Sequence, residues 1–190
     1  MKVIIDTNSL LSLVRYYLPF DKENLLFNFI KEKIEIGEII IIDKVYEQCT
    51  YNAKGLILKQ LAFLTDKSFL KKSKTPYKTD SLIAPSPAKF LRMVENQFVV
   101  GVQRKKINDV EFEVKKNQHL EDADIKLILL CLNLIKNGEN VYLVTEETIG
   151  SNDNKLFVKI PVMCRELSIK CITLPKLIKL YLDDFELHFK

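Results

Sequence analysis

Short apolar runs punctuate the chain. Residues 3–5 (Val3, Ile4, Ile5), 39–42 (Ile39 to Ile42) and 141–144 (Val141, Tyr142, Leu143, Val144) are continuous and rich in β-branched side chains; 170–174 is a looser fourth. A half-exposed strand alternates apolar and polar positions, whereas a strand covered on both faces does not. The four runs therefore predict buried parallel strands. Between them the spacing becomes helical, at residues 9–17, 22–35, 44–63, 120–137, 161–168 and 175–182. Gly138 stands where a left-handed residue would end the fourth of these helices. Pro161 and Pro175 stand at first helical positions, where a missing N–H costs nothing. Strands alternating with helices imply an α/β fold, a central and mostly parallel sheet flanked by helices.

Residues 64–118 interrupt this rhythm. Segments 71–76 and 84–87 read as loop, a helix is expected near 88–98, and 110–114 alternates apolar with acidic, as a short strand or hairpin arm would. We read the chain as one domain over 1–190, with 64–118 as an insertion.

Composition narrows the class. The chain is 47% hydrophobic and 28% charged, which suits a globular protein. No apolar run is long enough to span a membrane. The opening residues lack the apolar core of a signal peptide, so a cytoplasmic location is expected. Four scattered cysteines without a Cys-x-x-Cys pair are expected as reduced thiols in or near the core. Two histidines, His119 and His188, give little material for a histidine-based metal site or a Ser-His-Asp triad.

Charge is unevenly spread. Residues 54–106 hold twelve Lys or Arg against three acids, a net +9, which leaves −5 for the rest of the +4 chain. A basic segment on an acidic body suits a phosphate-binding enzyme with carboxylate chemistry, and equally a solvated lysine-rich surface. The nucleic-acid-binding candidates are Lys71, Lys72, Lys74, Arg104, Lys105 and Lys106.

Sites in parallel α/β sheets form at the carboxyl ends of strands. Asp6 ends the first run, Glu47 follows the second, Asp124 opens the helix before the third, and Glu147 follows the third. Each alone has an ordinary reading as helix cap, surface acid or first-turn acid. Together they could converge, and converging carboxylates repel unless a cation holds them. Hard oxygen donors suit Mg²⁺ or Mn²⁺. Asp124 precedes an apolar stripe (Leu127, Ile128, Cys131), as a site-facing acid would. Asp122, two residues earlier, faces elsewhere and reads as an N-cap or an outer acid.

Four segments carry a resemblance. Val3-Ile4-Ile5-Asp6-Thr7-Asn8-Ser9 resembles the opening of a PIN domain. Ile42-Asp43-Lys44-Val45-Tyr46-Glu47 resembles the family's second strand and the helix with its second acid. Asp122-Ala123-Asp124-Ile125 resembles its Asp-x-x-Ile/Leu helix, and Val144-Thr145-Glu146-Glu147 its Val-Thr-x-Asp strand end. The order agrees along the chain outside 64–118. The resemblance, to PIN-domain nucleases including VapC-like bacterial ribonuclease toxins, implies a three-layer fold and a metal-dependent endoribonuclease. It implies that Asp6, Glu47, Asp124 and Glu147 are catalytic and hold Mg²⁺ or Mn²⁺. It also implies that Asn8 orients a carboxylate or bound water and that Thr7 braces the site, with Thr145 and Asp122 supporting; helix capping accounts for Thr7 and Asn8 as well. The last acid is Glu where the family usually has Asp, which makes Asp153 a second candidate metal ligand. The implied partners are RNA, with DNA not excluded, an antitoxin protein and a second copy in a homodimer. A different class is a catalytically silent PIN-like module that binds nucleic acid or protein. A receiver or Asp-x-Asp phosphatase fits poorly, because Asn8 stands where the phosphatase needs Asp.

Overall fold

The structure, a computed structural model, describes residues 1–150 and 154–181. Four strands, β1 (Lys2–Ile5), β2 (Ile39–Ile40), β3 (Val141–Val144) and β4 (Lys170–Ile172), form one parallel sheet in the order β2-β1-β3-β4. Val3, Ile4 and Ile5 are fully buried, which is why β1 shows no polar alternation. Ile5 pairs in register with Val144, and Val144 with Ile172. The ladder runs one step further: Asp6 N–H donates to Val144 O (3.1 Å) and Thr145 N–H to Ile172 O (3.0 Å). The carboxyl ends of β1 and β3 are thus level. The strand order reverses between them, which is where open α/β sheets form their crevice.

The first helix, α1 (Thr7–Ser12), continues into a π-helical turn, Leu13–Tyr17. It is followed by α2 (Leu25–Glu35), α3 (Asp43–Tyr51) and α4 (Leu56–Gln60). The expected single helix over 44–63 is broken. Ala53 and Lys54 have positive φ, and Gly55 (φ 71°) opens α4 from the left-handed region. A Cβ at Gly55 would stand 3.1 Å from the Thr50 carbonyl oxygen, so this turn requires glycine. The second apolar run likewise splits: Ile39–Ile40 join the sheet, while Ile42 makes a parallel bridge to Tyr77.

Residues 64–118 are largely helical, with α5 (Lys67–Ser73), α6 (Pro87–Asn96), α7 (Gly101–Arg104) and α8 (Asp109–Glu121). The strand expected at 110–114 is helix instead. Asn108 accepts from Glu111 N–H (2.8 Å), Asp109 and Glu111 sit in the first turn, and acids there complement the helix dipole. The buried positions are Phe112, Lys116 and His119, a helical period, while Val110 and Val114 are exposed. Phe90, Met93, Val94 and Phe98 join the same core cluster as the sheet, so this segment is built into the core.

The chain then enters α9 (Ala123–Lys136), ended by Gly138 at φ 83°, and α10 (Ile160–Glu166) and α11 (Leu174–Leu180) follow β3 and β4. Helices flank the sheet, with α9 on β3, α2 on β2 and α10 on β4. The architecture is consistent with a three-layer PIN-like fold. Cys49, Cys131 and Cys164 are buried free thiols and Cys171 is half-buried. Among the described residues no helix is long and apolar enough to cross a membrane.

Candidate active site

Asp6 is the residue at which β1 becomes α1. It stays extended (φ −85°, ψ 168°), and its Oδ1 accepts from Ser9 N–H at 2.7 Å, as an N-cap does. Its Oδ2 accepts from the Thr145 hydroxyl at 2.6 Å. Thr145 sits just past β3 and also accepts from Glu147 N–H (3.1 Å). Asp6 is 4% exposed and Thr145 is 1% exposed, so this pair is a fixed joint between neighbouring strands. Burial pushes the Asp6 carboxyl above its ordinary range. The hydrogen bonds from Thr145 and Ser9 pull it back, and the charge of Glu147 adds to the rise.

Asp124 lies in the first turn of α9, after Asp122 at the helix boundary. Among the described residues its carboxylate receives no hydrogen bond. Burial, then the charge of Glu147, lifts its pKa from 3.8 to about 6. Lys155 opposes that rise, while Asp6 and Asp122 add to it. Glu147 is oriented by α10: its Oε2 accepts from Ile160 N–H (3.1 Å), and its Oε1 lies 3.8 Å from Lys155 Nζ. The preceding Glu146 accepts from Leu174 N–H (2.7 Å) at α11. The two adjacent glutamates therefore hold the starts of two helices, and Glu147 also faces the site.

These residues meet in a cleft of about 240 Å³ lined by Asp6, Thr7, Asn8, Gln48, Asp124, Glu147 and Lys155, among others. Its wall is almost entirely polar. Thr7, buried, donates through Oγ1 to Gln48 Oε1. Asn8 is exposed at the rim.

Glu47 requires a correction. It is exposed and does not line the cleft. In α3 the inward face carries Val45 and Cys49, which are buried, and Gln48 and Asn52 line the cleft. Tyr51, one turn further along α3 on the same side as Glu47, also lines the cleft, but the Glu47 side chain stays in solvent outside it. Gln48 takes its place as a neutral oxygen donor. Asp122 stands at the N-cap position of α9 without capping it. Its carboxylate turns to His119 Nδ1 (3.3 Å) and remains outside the cleft. Asp153 lies outside the described residues. The basic candidates are also elsewhere. Lys71, Lys72 and Lys74 end α5, where Lys72 pairs with Glu35 (2.9 Å). Arg104 pairs with Asp109, and Lys105 and Lys106 are exposed. None lines the cleft. The cation there is Lys155, which charge counting over 54–106 could not single out.

Among the described residues, no three His, Cys, Asp or Glu side chains are grouped as a ready-made metal cage. Asp6 is committed to Thr145 and Ser9, Glu147 to Ile160, and Asp124 accepts no hydrogen bond among the described residues. The oxygens that could hold a cation are those of Asp6, Asp124 and Glu147, with Gln48 and Asn8 at the margin. Their chemistry fits a hard divalent ion; burial first, and the neighbouring acids second, raise the Asp6 and Asp124 carboxyls, and a bound cation would offset both effects.

A family model described as "Domain of unknown function (DUF4411)" matches residues 3–181. No curated protein and no solved structure matches the chain.

Proposed function

We propose that this chain, which belongs to the DUF4411 family, is a Mg²⁺- or Mn²⁺-dependent nuclease that hydrolyses RNA phosphodiester bonds. The observation that carries the reading is the meeting of Asp6, Asp124 and Glu147 at the switch point of a parallel sheet. They come from three separate parts of the chain, and two are desolvated with raised pKa. Such an arrangement weakens the apo protein, and a cation-dependent reaction gives it a use.

A bound divalent cation supplies Lewis acidity toward the phosphoryl oxygens and lowers the pKa of its water. The chain's own groups do the rest. Asp6 and Asp124 would hold the ion, with Glu147 beside them. Thr145 and Ser9 fix the Asp6 carboxylate before anything binds, which reduces reorganisation. Thr7 and Gln48 brace one wall. Lys155, 3.8 Å from Glu147, balances the acids from the cleft wall.

A second reading has a specific observation in its favour. Gln48 is neutral where the expected second acid would act, which suits a silent module that binds nucleic acid or protein. One experiment separates the two. Purified protein is incubated with RNA and DNA oligonucleotides in Mn²⁺ or EDTA, beside Asp6→Asn. Mn²⁺-dependent cleavage of RNA that Asp6→Asn abolishes supports the nuclease. Binding without cleavage in Mn²⁺ supports the silent module.

A further inference from the structure

Asp124 and Lys155 have a second side. Beyond them lies a groove of about 640 Å³ whose walls include Lys115, Gln118, His119, Phe157 and Lys159. Asp124 and Lys155 line both this groove and the acidic cleft, so the two spaces adjoin. The groove is built from the last turns of α8, the start of α9 and the segment 155–159.

Its floor is firmly held. Phe157 stacks on His119 with ring centroids 4.1 Å apart and planes 9° from parallel. Asp122 holds the His119 ring through Nδ1. The segment is anchored to the link between α6 and α7 by two backbone bonds of 2.8 Å, Val158 N–H to Phe98 O and Val100 N–H to Leu156 O. Among the described residues, the titratable groups facing the space are Lys115, Lys155 and Lys159 against Asp122 and Asp124, with His119. Asp124 belongs to the acidic cleft, and Asp122 is turned to His119. Lys115 pairs with Glu111 one turn back (3.0 Å), a surface pair of small worth. The cationic wall therefore suits a polyanion, and the groove meets the acidic cleft at Asp124 and Lys155.

We infer that this groove binds the sugar–phosphate backbone of single-stranded RNA beside the scissile bond, and that Lys155 turns from Glu147 to a substrate phosphate when the strand enters. The inference rests on the nuclease reading for the identity of its ligand. Lys155 then has two opposed effects. It neutralises the acids, so it competes with a divalent cation. It also contacts phosphate, so it favours the strand.

The test measures both on the full chain. Fluorescence anisotropy of labelled single-stranded RNA is followed in EDTA across a KCl series, for the parent, Lys115→Gln, Lys155→Gln, Lys155→Arg and the α5 triple Lys71→Gln/Lys72→Gln/Lys74→Gln. Each groove Gln variant is expected to weaken binding and to reduce the log–log salt slope by about 0.7. Lys155→Arg is expected to restore both, and the α5 triple to match the parent. Mn²⁺ titration of the same proteins by calorimetry is expected to give tighter binding for Lys155→Gln. Groove variants that bind RNA like the parent overturn the inference, as does a loss confined to the α5 triple or a parent that binds no RNA. The two readings fail separately. Weakened RNA binding without cleavage in Mn²⁺ removes the nuclease and keeps the groove. Cleavage with unaltered RNA binding removes the groove and keeps the nuclease.

Discussion

The Thr145 hydroxyl donates to Asp6 Oδ2 at 2.6 Å across 139 positions of sequence. It is the side-chain counterpart of the backbone ladder that aligns β1 with β3, and it converts a strand register into the orientation of a carboxylate. Removing it strands a buried charge.

Thr145→Val keeps the shape and deletes the donor. A hydrogen bond to a charged group contributes about 1.5–3 kcal/mol, so we expect a loss of about 2 kcal/mol in urea unfolding and a further rise in the Asp6 pKa. Thr145→Ser should recover most of it. Unfolding midpoints of the three proteins at neutral pH check this, and equal midpoints for Val and Ser would remove the hydroxyl from the account.

Asp124 sets a pH dependence. Its folded pKa, about 6, lies above the unfolded 3.8, so the folded protein keeps a proton that the unfolded chain releases across that window. This contribution to stability is present below about 3.8, falls as pH rises to about 6, and stays lost above it. Asp124→Asn should therefore stabilise the metal-free protein above pH 6, by at most about 3 kcal/mol. Thermal melts in EDTA at several pH values test the sign; a destabilised Asp124→Asn at pH 7.5 refutes it.

The same variant should respond less to metal. Millimolar Mn²⁺ should raise the melting temperature of the parent through binding to the folded state alone, and Asp124→Asn and Asp6→Asn should both blunt the rise. A parent whose melt ignores Mn²⁺ has no cation site.

Glu47 and Gln48 give an internal contrast. Glu47→Gln changes an exposed residue and should alter stability by less than about 0.5 kcal/mol, with no effect on the Mn²⁺ response. Gln48→Glu adds a carboxylate to the cleft wall and should destabilise the metal-free protein while tightening Mn²⁺ binding in calorimetry. The reverse pattern would restore Glu47 to the site.

On the nuclease reading, products should carry 5′-phosphate and 3′-hydroxyl ends, since His119 is the one histidine among the described residues and burial keeps its pKa below the usual range. His119→Ala should disturb the groove floor and raise KM more than it lowers kcat. End-group analysis decides the chemistry: 2′,3′-cyclic phosphate, or cleavage that persists in EDTA, excludes hydrolysis assisted by a divalent cation.

The sheet was legible because continuous apolar runs admit few environments other than a doubly covered strand, and Asp6 was legible because it ends one. Asp124 followed from its apolar stripe. Gln48 was not legible: whether position 47 or 48 faces inward depends on where α3 starts, and one residue of offset turns the side chain by about 100°. Lys155 was missed for another reason. It lies in an irregular segment with no periodicity, placed beside the acids by pairing with the link between α6 and α7, a tertiary fact. At 110–114 a strict alternation was overruled because Lys116 buries its stem in a helical stripe, as long cationic side chains can.

The strand order has a consequence for synthesis. β1 leaves the ribosome before its partners, and β2 can join one flank before β3 has been made. The other flank waits for β3, and the cleft needs Thr145 and Glu147. Any chain shorter than that carries Asp6 without its partner from Thr145, so no product of interrupted translation ending before that point holds the assembled site. Pairing distant segments in parallel is also slow, which leaves the bare flank of β1 exposed to unwanted pairing meanwhile. Whatever reaction the cleft performs is thereby withheld until β3 and the residues that follow it have been made.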